Sequence, residues 1–201
     1  GIVVEPHLCV GCGACSTVCP SGALAFGYPG PVDQGRRLRT MLTAYRQAGG
    51  KDAALLLHSE GAGTRLIGEL GRAARTDESV RGVPARVLPV ALWHTASTGL
   101  DLWLAAIACG ASQVWVLLTD EEAPEYRQAL AEQMAVAQAI LAGLGYRGEH
   151  FKCIEVRDAR DLAALDYALR SPAAQGVARP GARADVAGPR PTFSLADDHL
   201  H

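Results

Sequence analysis

Four of the six cysteines fall within eleven residues, as Cys9-x2-Cys12-x2-Cys15-x3-Cys19, and Pro20 follows directly. No other feature of the chain limits its folding so sharply. A secreted disulfide scaffold spreads its cysteines more evenly over a shorter chain, so this tight run points to metal held in a reducing compartment. Structural zinc takes two well-separated CxxC pairs or a Cys/His mixture. The x2, x2, x3 spacing with a following proline instead suits a [4Fe–4S] cluster, for which thiolates are soft ligands. Three thiolates on one tight loop reach three corners of a cubane. Gly11 and Gly13 let that loop curl without side-chain clashes and leave backbone N–H groups facing the sulfurs. Pro20 turns the chain away after the fourth cysteine. The expected cluster ligands are therefore Cys9, Cys12, Cys15 and Cys19.

The fourth ligand carries an ambiguity. Where two clusters lie side by side, the last cysteine of each run binds the other cluster. Cys19 either closes the one cluster itself or serves a second, whose run lies outside these 201 residues. The chain opens on Gly1 rather than Met, which reads as a piece of a longer iron–sulfur protein. Cys109 and Cys153 stand in an apolar helix and a strand, where a lone cysteine is a small buried hydrophobe.

The sequence divides into a Cys-rich module at 1–30, an α/β domain at 31–170 and a tail at 171–201. The tail is rich in Pro, Ala, Gly and Arg and too poor in large apolar residues to repay ordering, so it is expected to be disordered. In the middle segment, a helical pattern at 32–48 carries Leu38, Met41, Leu42 and Tyr45 and stops at Gly49-Gly50. Short apolar strands at 53–58, 85–93, 113–119 and 151–156 then alternate with helical patterns at 64–75, 99–109, 125–144 and 158–169. Pro89 marks the second strand as an edge strand or a broken one. The helix at 99–109 is apolar all round, which predicts burial. Such alternation implies an α/β fold, a parallel sheet covered by helices on both faces. Right-handed crossovers favour a doubly wound, flavodoxin-like sheet of about four strands; one sequence does not give the strand order, for which 2-1-3-4 is a guess.

Weaker signals lie at the sheet's carboxyl edge. Ser59-Glu60-Gly61-Ala62-Gly63-Thr64 follows the first strand, where α/β sheets bind phosphate on free N–H groups. The third glycine and the P-loop lysine are missing, and an ordinary βα turn with Thr64 near the cap is the simpler reading. His58 and His94 end predicted strands and with Glu60 could form a small polar site; more simply, each bonds a loop. Asp120-Glu121-Glu122 reads as a solvated loop, with Glu125 favouring the next helix start. No serine has a G-x-S-x-G setting for hydrolase chemistry. A net charge of −2 excludes general electrostatic attraction to nucleic acid. No apolar run of about 18 residues is present to span a membrane.

The segment from Val3 to Leu24, with Glu5-Pro6-His7-Leu8 ahead of the cysteine run and Ser21-Gly22-Ala23-Leu24 behind it, closely resembles the bacterial-type [4Fe–4S] ferredoxin domain. The resemblance implies Cys9, Cys12, Cys15 and Cys19 as ligands and one-electron transfer as the role. Residues 52–156 resemble the delta-subunit domain of methyl-viologen-reducing hydrogenases, which passes electrons between a hydrogenase and a heterodisulfide reductase. The likeness lies in Arg86-Val87-Leu88-Pro89-Val90, in Leu100 to Ala108, in Gly110-Ala111-Ser112-Gln113-Val114-Trp115-Val116-Leu117 and in the long helix and strand that follow. That family has cysteines near its strand ends for a [2Fe–2S] cluster. Here Trp93-His94 and Leu118-Thr119-Asp120 stand in those places, so the resemblance implies a cluster-free relative that serves docking. The expected function is a cytoplasmic electron carrier or oxidoreductase subunit. It would relay single electrons to a redox protein or to further iron–sulfur domains of the parent chain. Two alternatives stand beside it: a cluster-fed flavin- or nucleotide-binding oxidoreductase subunit, and a structural docking module with a non-redox cluster.

Overall fold

Alternating apolar strands and amphipathic helices form a single parallel sheet with helices on both faces. The structure, a computed structural model, describes residues 3–5, 7–19, 23–157 and 161–176. Its strands are β1 (Ala54–Ser59), β2 (Val87–Leu92), β3 (Gln113–Leu118) and β4 (Phe151–Glu155). Its helices are α1 (Ala14–Thr17), α2 (Pro31–Gln47), α3 (Ala62–Thr76), α4 (Leu100–Ala108), α5 (Pro124–Gly143) and α6 (Leu162–Ala168). The strand order is β2-β1-β3-β4 with every pair parallel, a doubly wound sheet as expected, in the order that is a guess from the sequence alone.

The two central strands, β1 and β3, are buried along their whole lengths. Successive strand side chains point to opposite faces, which sorts the core into two layers. Leu55, Leu57, Val114 and Val116 pack with Leu38 of α2, Trp103 of α4 and Leu130 of α5. Ala54, Leu56, Trp115 and Leu117 pack with Leu66 and Leu70 of α3 and Leu165 of α6. Pro89 lies opposite Leu56 on β2, an edge strand, so its missing N–H leaves the sheet interior intact. The apolar α4 lies against both α2 and α5 and buries Leu102, Trp103, Ala106 and Ile107. Along α5 the buried stripe is Tyr126, Leu130, Met134, Ala137 and Leu141, the three- and four-residue spacing read from the sequence.

Three features depart from expectation. The cysteine run contains the one-turn helix α1, and a 3-10 turn, Thr95–Ser97, stands between β2 and α4. The segment 171–176, read as the start of a linker, is packed. Gln175 pairs with Arg147 through two backbone hydrogen bonds of 2.8 and 2.9 Å, and Gln113 Nε2 donates to the Pro172 carbonyl at 3.1 Å. These backbone groups find partners where the apolar content alone would not have ordered them. The turn at Pro20, the first residues of the helix expected from 158, and the tail from 177 lie outside the described residues.

Candidate iron–sulfur site

The loop that carries the cysteines takes its shape from two glycines. Gly11 and Gly13 both adopt left-handed backbone conformations, with φ of 65° and 85°. This region disfavours residues with a Cβ. The turn at Gly11 brings its N–H to 3.4 Å from Cys9 Sγ, so a backbone donor does face a sulfur. Gly13 then starts α1, where Ser16 Oγ donates to the Gly13 carbonyl at 2.7 Å. Cys9 and Cys15 are exposed, Cys12 and Cys19 half-buried, and none of the six cysteines is in a disulfide.

Among the described residues, no three His, Cys, Asp or Glu side chains converge to hold a single metal ion. A cubane asks for something different, one thiolate at each of four separate iron corners. The run offers four thiol side chains, two of them exposed, on a loop with a left-handed turn and an N–H donor aimed at one sulfur. The residues present therefore fit a cluster.

The loop is seated on the carboxyl edge of the sheet. Thr17 Oγ1 donates to the Ala96 carbonyl and lies 3.2 Å from the Thr98 carbonyl. From α5, Gln133 Nε2 donates to the Thr17 carbonyl at 2.7 Å. Gly13 is buried against the same turn; a Cβ there would lie 2.8 Å from the Phe26 ring and 2.9 Å from Ser97 Cα. The close approach of turn 95–97 thus requires glycine at position 13 on steric as well as torsional grounds.

Residues 2–25 match the family model of the 4Fe-4S binding domain. The chain therefore carries a [4Fe–4S] cluster in its N-terminal segment and has an iron–sulfur electron-transfer role. No curated protein matches the chain. The likeness of the α/β domain to the hydrogenase delta subunit gains no support from these comparisons.

The carboxyl edge of the sheet behaves differently from its sequence signals. His58 is buried and its Nδ1 lies 3.0 Å from the Ser59 carbonyl. Burial lowers its pKa, and the positive charge of Arg37 pushes the same way. His94 Nδ1 accepts the Ala96 N–H at 3.1 Å and so caps the 3-10 turn. Each histidine therefore bonds local backbone, the simpler of the two readings.

The acidic loop after β3 is not merely solvated, and this corrects the sequence reading. Glu122 is 2% exposed and accepts from Thr119 N at 2.7 Å, Thr119 Oγ1 at 3.0 Å and Thr95 Oγ1 at 2.7 Å. It ties β3 to the turn beneath the cysteine loop. Glu121 reaches across to the start of α3, where it accepts from Ala62 N at 3.0 Å and Ser59 Oγ at 2.5 Å. The helix begins at Ala62, two residues before the expected Thr64 cap, and the seat for a phosphate holds the protein's own carboxylate. Carboxylates three and four residues past a strand give no sequence sign of reaching a neighbouring helix or turn, so neither role is legible in the sequence.

Proposed function

We propose that Cys9, Cys12, Cys15 and Cys19 ligate one [4Fe–4S] cluster, and that the α/β domain from residue 31 onward is a rigid mount holding it toward a redox partner. The bound cluster supplies reversible one-electron exchange. The chain's own residues do the rest. The Gly11 N–H stabilises negative charge on Cys9 sulfur, which favours the reduced state. Thr17 and Gln133 fix the loop to the sheet, so its distance to a docked partner is set by a packed core. Leu8, Val10 and Val18 leave apolar surface exposed around the cysteines, which supports docking of a redox protein or of a further iron–sulfur domain.

The observation that carries this reading is the family match over the cysteine run. Of the alternatives, a nucleotide or flavin phosphate at the first βα turn is disfavoured by Glu121, which occupies that seat. A structural cluster differs from a redox one in its response to reductant. The test is anaerobic iron and acid-labile sulfide content, with visible spectra before and after dithionite. About four of each per chain, with bleaching, is expected for a complete redox-active cubane. Cys12→Ser should abolish or sharply reduce the cluster and Cys109→Ser should leave it intact. Equal loss in both would overturn the ligand assignment, and a full cluster that dithionite does not bleach would overturn the redox role.

A further inference from the structure

Beside the cysteine loop, at the carboxyl ends of β1 and β2, lies a cavity of about 370 Å³. Three aromatic side chains, Phe26, Tyr28 and Trp93, line it together with Gln34, Arg37 and Glu60. Gly11, between Cys9 and Cys12, forms part of its wall. The three aromatics come from different parts of the chain, two behind the cysteine run and one behind β2. Tyr28 and Trp93 are 90% and 63% exposed, while Trp103 and Trp115 are fully buried. Aromatic side chains carry large apolar area, and two of them open on the rim of one cavity offer faces that a flat ligand can cover.

We propose that this cavity binds a planar, uncharged aromatic dicarbonyl of the quinone class. The volume falls within the range of small-ligand sites, roughly 300–1,000 Å³, and aromatic faces in the lining favour a flat ring. The polar groups decide the rest. Arg37 spends one N–H on the Ala91 carbonyl at 3.1 Å and retains further donors in its guanidinium fork. Together with the Gln34 amide it offers donors suited to ring carbonyl oxygens. Glu60 brings a negative charge against Arg37's positive one, so the lining selects for a neutral ring over an anionic one. Glu121 fills the neighbouring helix start and removes the place where a phosphorylated tail would anchor. Contact with the cluster-bearing loop through Gly11 makes a redox-active ring the fitting occupant. That last choice rests on the electron-transfer reading above; the binding itself does not.

The test is equilibrium dialysis of the oxidised, cluster-loaded chain against 2,3-dimethyl-1,4-naphthoquinone, whose methylated ring positions block addition of thiols. Saturable binding of one ring per chain is expected. Trp93→Ala, at an exposed position, should weaken it at least tenfold, and Arg37→Gln severalfold. Val136→Ala, at a residue that lines only the adjoining cleft beside Cys19, should leave it unchanged. Absence of saturable binding, or binding equal in Trp93→Ala, would overturn the site. Flavin mononucleotide bound as tightly as the quinone would overturn the assignment to an uncharged, phosphate-free ligand. Iron and sulfide content measured on the same samples reads the cluster separately, so loss of the site and failure of the electron-transfer reading are distinguishable.

Discussion

Substituting Gly13 by alanine isolates what holds the cysteine loop to the sheet, because Gly11 provides its control. Both residues are left-handed, at φ of 85° and 65°. Adding a Cβ in that region costs about 1–2 kcal/mol. At Gly11 the added carbon meets nothing within 4 Å, so the torsional cost is the whole effect. At Gly13 it also lies 2.8 Å from the Phe26 ring and 2.9 Å from Ser97 Cα. The ring can swing aside, but the backbone of turn 95–97 is tied down by Glu122 and Thr17. Overpacking of this kind adds about 1–3 kcal/mol. The seated loop should therefore lose about 1–2 kcal/mol in Gly11→Ala and about 2–5 kcal/mol in Gly13→Ala. The assay is anaerobic release of iron to a chelator, followed at the visible band, beside a far-UV thermal melt. Iron should leave Gly13→Ala about tenfold faster than Gly11→Ala, as a 1.4 kcal/mol difference implies. The melt of the α/β domain should hardly move, since neither core layer is touched. Release from Gly13→Ala no faster than from Gly11→Ala would refute seating of the loop on turn 95–97.

Three further outcomes follow from buried groups. Replacing Glu122 by glutamine leaves one oxygen to serve three donors, at a cost of about 1.5–3 kcal/mol in urea denaturation; iron release should quicken as well, because the same carboxylate anchors the turn. Asp166 accepts from Gly82 N at 2.8 Å, Arg81 N at 3.1 Å and Arg170 Nη2 at 2.7 Å. Burial works to raise its pKa, but Arg170 and these N–H groups prevail and hold it below the ordinary carboxylate range. A depressed folded pKa gives stability that is present above about pH 4 and lost as pH falls through the folded value. Asp166→Asn should thus cost about 1.5–3 kcal/mol near neutrality and show a shallower loss of stability in acid. The Cys153 thiol, beside Met134 Sδ at 3.6 Å, is pushed up to about 11 by burial and then by Glu155. Only about one molecule in a thousand is thiolate at pH 8, so mass-spectrometric mapping after brief iodoacetamide treatment should find Cys153 unmodified.

Sequence alone determined two things about this protein. The cysteine spacing implied the cluster, because ligand positions on a tight loop are local and need no tertiary information. The strand and helix pattern implied the doubly wound sheet, because burial on both faces imposes its own periodicity on β1, β3 and α5; Pro89, lacking a donor, left β2 as an edge or a broken strand, and the structure has it at the edge. Tertiary structure decided how the two parts meet. Thr17, Gln133 and Ala96 lie far apart in the chain, yet their hydrogen bonds set the loop on the sheet. Asp120-Glu121-Glu122 carries charge that reads as solvated, yet Glu122 is buried and Glu121 fills the start of a helix distant in sequence. Polar side chains announce their chemistry in sequence but not their partners, since a partner is chosen by which strand ends the crossovers bring side by side.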